Sequence, residues 1–154
     1  MTAGKLRLRA ESPEDLEVVG GVLQDALLPL SDMVFLREEG RFALVANRFC
    51  WEAEERENAP GPGERSHLRV NCGLLFSQVE AVQTRGFDRD DTANILSLLT
   101  IQTEPGVDAS EITLICAGDA SIRLKVRSID CRLDDMGEPW PTVWRPSHGD
   151  DEAD

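Results

Sequence analysis

Two groups of polar residues stand where the surrounding pattern is apolar, and any chemistry in this chain would begin with them. Arg123, Lys125 and Arg127 alternate with Ile122, Leu124 and Val126, so in a strand they would share one outward face. Such a cationic row can receive a phosphate, a carboxylate or an acidic partner segment. It can equally be a solvated face that blunts an edge strand and pairs with local carboxylates. The second group is Gln24 and Asp25 beside an apolar helical stripe, with Asn47 and Arg48 inside an apolar strand. Polar groups buried there must be paired, which suggests an Asp25–Arg48 ion pair or a pocket.

The other reactive residue types form no catalytic pattern. Cys50, Cys72, Cys116 and Cys131 lie far apart, and the only histidines are His67 and His148. That spacing fits small buried thiols in a reducing compartment, not a zinc site. Asp134 and Asp135 are neighbours and would not share a helix face, and Asp88, Asp90 and Asp91 lack calcium-loop spacing. They read as helix-end and loop solubility. No nucleophile elbow or phosphate-binding glycine loop occurs, and tyrosine is absent. No catalytic residue, metal or cofactor is expected, and enzyme activity has no positive support.

These residues need elements to position them. The organising stretch is Arg41–Glu52, in which Phe42, Leu44 and Ala46 stand on one face and Val45, Phe49 and Trp51 on the other. Apolar residues on both faces predict a strand covered on both sides. Before it, Lys5–Arg9 reads as a strand. Ser12, Pro13 and Asp15 start a helix whose stripe is Leu16, Val19, Leu23, Ala26 and Leu27, ending at Pro29. Gly20-Gly21 weakens that helix and suggests close approach to a neighbouring strand. Met33–Arg37 would pair with the central strand through Glu38-Glu39-Gly40.

Ala53–Ser66 is rich in proline, glycine and glutamate and reads as a solvated loop, or a binding loop. Strand-like runs at 68–74, 79–84, 95–103, 112–116 and 122–126, of which 95–103 is apolar on both faces (Ile95, Leu99 and Ile101 against Leu96 and Leu98), then predict a meandering antiparallel sheet. Ile129, Leu133 and Met136, with Ser128 as cap and Gly137 as stop, predict a closing helix. Three prolines from Pro139 to Pro146 argue against helix or central strand there. Trp140 and Trp144 in that segment would staple the terminus to the sheet or anchor a second subunit.

The whole reads as one α+β domain over 1–146, followed by an acidic flexible tail over 147–154. It would be a bent antiparallel sheet or partial barrel with an N-terminal helix and a closing C-terminal helix. A net charge of −13 disfavours nucleic-acid and anionic-membrane binding. No run of about 18 apolar residues or signal core is present, so the expected location is cytoplasmic.

Leu23–Ala26, Phe42–Glu52, Leu96–Ile101, Ile122–Val126, and Leu133–Gly137 followed by Trp140 together resemble one proteobacterial family, domain of unknown function 2948. The resemblance covers nearly the whole chain, implies a small cytoplasmic bacterial protein, and implies no reaction. The order of strands before a closing helix is also similar to pleckstrin-homology-like adaptor modules. The functional expectation is a non-catalytic binding or adaptor module, with another protein or a second copy as partner. The alternative is a small-molecule-binding protein or enzyme whose pocket lies between the first helix and the sheet, near Asp25 and Arg48.

Overall fold

The computed structural model describes residues 6–49 and 66–143, with the backbone alone over 66–68 and 138–143. β1 (Arg7–Ala10) leads into α1 (Pro13–Val22). The Ser12 hydroxyl accepts the Asp15 N–H at 3.1 Å, and the Asp15 carboxylate accepts the Glu11 N–H at 3.0 Å. These two bonds hold the helix entrance as its sequence predicts. The helix ends at Val22, well before Pro29. Leu23 and Ala26 are still buried, but Asp25 takes a left-handed φ of 67° and turns the chain into β2 (Leu27–Pro29). The apolar stripe thus continues through a turn whose residues stay in the core. Gly20 packs on β7 (Ile95–Glu104): a Cβ there would lie 3.4 Å from the Ile101 backbone nitrogen.

β3 (Val34–Leu36) pairs with β4 (Arg41–Phe49) through a 3-10 turn, Arg37–Glu39, and Gly40 at a φ of 67°. The remaining strands are β5 (Ser66–Phe76), β6 (Val79–Arg85), β8 (Ser110–Cys116), β9 (Ser121–Val126) and β10 (Cys131–Val143). Every described pairing is antiparallel, and the order is β1-β10-β5-β4-β2-β7-β8-β9-β6, with β3 beside β4. A single apolar cluster joins α1 to both halves of this sheet. In β4 it takes Phe42, Leu44 and Ala46, while Ala43, Val45 and Phe49 on the opposite face are half-buried. The expected double cover is therefore strong on one face and partial on the other. Trp51 lies outside the described residues.

The expected α+β class with a closing helix is overturned. Residues 131–143 form the longest described strand, and α1 is the only α-helix among the described residues. Ile129, Leu133 and Met136 match a helical spacing, but the real period is two. Cys131 and Leu133 are buried with the Asp135 carboxylate beside them, whereas Arg132, Asp134 and Met136 face outward. With ten strands and one short α-helix among the described residues, the pleckstrin-homology-like likeness, which rested on strands followed by a closing helix, is lost as well. Pro141 does occupy β10, opposite Leu68, but β1 pairs only with 131–134 and does not flank β10 there. An edge position tolerates the missing N–H.

β7 contains a second departure. Leu99 is the extra residue of a β-bulge between Leu98 and Thr100. The bulge reverses the alternation, so Leu96, Leu98 and Ile101 all reach the core while Ile95 and Leu99 are exposed. An apolar run on both faces in sequence thus becomes a single buried face in space.

Candidate functional site

Arg48 lies on the core face of β4, and its side chain is 1% exposed. Its partner is Asp135 of β10, two strands away, not Asp25. Nε donates to Asp135 Oδ1 at 3.0 Å and Nη2 to Oδ2 at 2.8 Å, a bidentate fork. Nη1 donates to the Phe49 carbonyl at 3.0 Å. Asp135 Oδ2 also accepts the Leu6 N–H at 2.8 Å, which ties the start of β1 to the same carboxylate. Asp25 lies exposed in the turn after α1. The expected Asp25–Arg48 pair is therefore replaced by Arg48–Asp135, because the chain crosses from helix to strand with Asp25 pointed away from the core. The carboxylate read as helix-end solubility turns out to be a structural group.

Asn47, on the opposite face, forms a separate cluster. Its side-chain amide donates to Asn71 Oδ1 at 3.2 Å, and Arg69 donates to both its side-chain and main-chain oxygens. The Arg69 guanidinium also stacks 4.0 Å from the Phe49 ring centre. This cluster cross-links β4 and β5.

Arg123 and Lys125 sit in β9 and Arg127 directly follows it. All three are exposed on one face, as the alternation predicts. The strand is flanked by β6 and β8, so it is not an edge. Arg127 pairs with Glu80 at 3.1 Å, and Arg123 lies 3.8 Å from Glu111. Lys125 stands between Ala81 and Glu111 in the ladder. On the β6 side, Gln83 is opposite Arg123 and Arg85 opposite Ser121. Together with Arg89 from the next turn they line a hollow of about 420 Å³, and no carboxylate lines it. Sequence reading missed Arg85 and Arg89. The alternation of Gln83 and Arg85 with Val82 and Thr84 was visible, but their pairing with β9 was not.

Beside this hollow lies a smaller cleft of about 160 Å³, lined by Met33, Phe35, Phe42, Val82, Phe87 and Ile122 among others. Thr84, Val82 and Arg89 belong to both. Between α1 and β7 a third hollow, about 650 Å³, is lined by Glu17, Glu104, Gln102 and three threonines. It is open and polar, and neither Asp25 nor Arg48 reaches it.

Cys72, Cys116 and Cys131 are buried in the core. Burial pushes Cys116 up to about 11; burial, helped by the Asp130 charge, pushes Cys131 up to about 12. Neither has the depressed value that a nucleophile or metal ligand needs. Among the described residues no three His, Cys, Asp or Glu side chains gather at metal-binding distance. Asp88 accepts the Asp90 N–H in its turn, and Asp134 makes an exposed pair with Arg7. Trp140 pairs through its backbone with Arg69, and its side chain, like Trp144, Cys50 and the 53–65 stretch, lies outside the described residues.

No described helix is long and apolar enough to cross a membrane. A family model described as protein of unknown function (DUF2948) matches residues 6–148. No curated protein and no solved structure matches the chain.

Proposed function

The chain belongs to the family of proteins of unknown function DUF2948, and from that premise we propose that it is a non-catalytic cytoplasmic module that binds an anionic partner protein. The observation that carries this reading is the hollow on the outer face of β6 and β9. Arg85, Arg89 and Arg123 converge there without a lining carboxylate, on a chain of net charge −13. Local positive potential inside an overall negative field selects a short acidic segment and still repels a nucleic-acid backbone. The buried thiols suit a reducing compartment.

The test is capture on immobilised protein at low and high salt, with Arg85→Glu/Arg123→Glu as comparison. Both side chains are exposed, so the variant should fold. Proteins retained by the unmodified chain should be lost from the variant and weakened by salt. Equal capture by the two would overturn the reading.

A further inference from the structure

We propose that the partner is held as an added β-strand along the free edge of β6, as an extended segment in which acidic and apolar residues alternate. This rests on the reading of the β6–β9 face as an anionic docking surface. Among the described residues β6 ends the strand order and pairs as a strand with β9 alone; the Val79 N–H at its start donates to the Gly40 carbonyl at 2.8 Å, and beyond it alternate N–H and C=O groups on the other side have no strand partner. The two hollows adjoin along that one edge, sharing Val82 and Thr84. Gln83, Arg85 and Arg123 border the outer face, while Val82, Thr84 and Ile122 border the cleft below it. Arg89 reaches both.

A strand laid beside β6 would send successive side chains alternately up and down. Its upward residues would meet arginines, and its downward residues would enter a cleft walled by Met33, Phe35, Phe42 and Phe87. The cleft is small, about 160 Å³, so it fits one or two aliphatic side chains rather than an aromatic ligand. β3 lines the far wall and among the described residues is paired with β4 alone, so apart from the Gly40–Val79 bond that closes one end of the gap no strand pairing joins β3 to β6. Main-chain bonds to an edge supply affinity in this mode, and the alternating pockets supply selectivity. Asp88, Asp90 and Asp91 follow in the same loop as Arg89, which favours a segment with spaced acids over a dense acidic block.

The probe is an eight-residue peptide alternating leucine and glutamate, labelled and titrated by fluorescence anisotropy. Binding should weaken at least about tenfold when lysine replaces glutamate, and equally with Arg85→Glu/Arg123→Glu. Methylating alternate peptide nitrogens should abolish binding in one parity and spare it in the other. Amides between Glu80 and Arg85 should gain hydrogen-exchange protection on the free side only. Equal binding by both methylated forms would overturn the strand addition while leaving an anionic docking face intact. No binding of the peptide, with salt-sensitive partner capture retained, would do the same. Binding indifferent to charge reversal would remove both.

Discussion

At the scale of single residues, the buried Arg48–Asp135 fork governs more than any exposed charge. Removing one partner strands the other in the core, which costs about 3–5 kcal/mol for a buried pair. Urea unfolding of Arg48→Met and of Asp135→Leu should each show that loss. The double variant should lose less than the two singles together, since no charge is left unpaired, although the Leu6 N–H forfeits its acceptor. Asp25→Gly should change stability by less than about 0.5 kcal/mol, because the residue is exposed and already at a positive φ. The thiols set a different dependence. An unfolded cysteine releases its proton near 9, whereas Cys116 and Cys131 hold theirs to about 11 and about 12. Above pH 9 the unfolded chain therefore binds fewer protons than the native one. Stability should fall with rising pH between 9 and 11, by about 1.4 kcal/mol per unit for each thiol. Equilibrium unfolding across that range checks it.

At the scale of elements, glycine positions separate local propensity from packing. A Cβ at Gly21 meets nothing within 4 Å, so Gly21→Ala should stabilise α1 by about 0.5–1 kcal/mol. Gly86 has a φ of 86°, and a Cβ there would lie 2.2 Å from the Asp119 carbonyl oxygen. Gly86→Ala should therefore destabilise the end of β6, and thermal melts of the pair should move in opposite directions. Ser12→Ala should cost about 1 kcal/mol through the lost helix cap. The helix entrance was readable because capping is local. The helix exit was not: Leu23 and Ala26 are buried in either conformation, and only the pairing of β2 with β4 and β7 decides where the chain leaves the helix.

At the scale of the molecule, β10 joins ends of the chain that are far apart in sequence. It pairs with β1 on one side and β5 on the other, and carries Cys131, Leu133 and Asp135 into the core. A chain ending at Asp130 should fail to give a cooperative unfolding transition by circular dichroism. The cationic surface has the same origin. Arg85 and Arg123 are 38 positions apart, and they share a face only because β6 returns to pair with β9 outside the β7-β8-β9 meander.

By itself the sequence determined the antiparallel strand runs, the capped first helix, the turn at Gly40 and the shared outward face of Arg123, Lys125 and Arg127. Each of these follows from alternation, capping or a required backbone angle within a few residues. Tertiary structure alone decided that residues 131–143 are a strand, that Leu99 bulges, and that Asp135 rather than Asp25 neutralises Arg48. A short apolar spacing satisfies both a helical and a strand period, and a buried charge finds its partner across strands, so neither choice can be made until the sheet has closed around them.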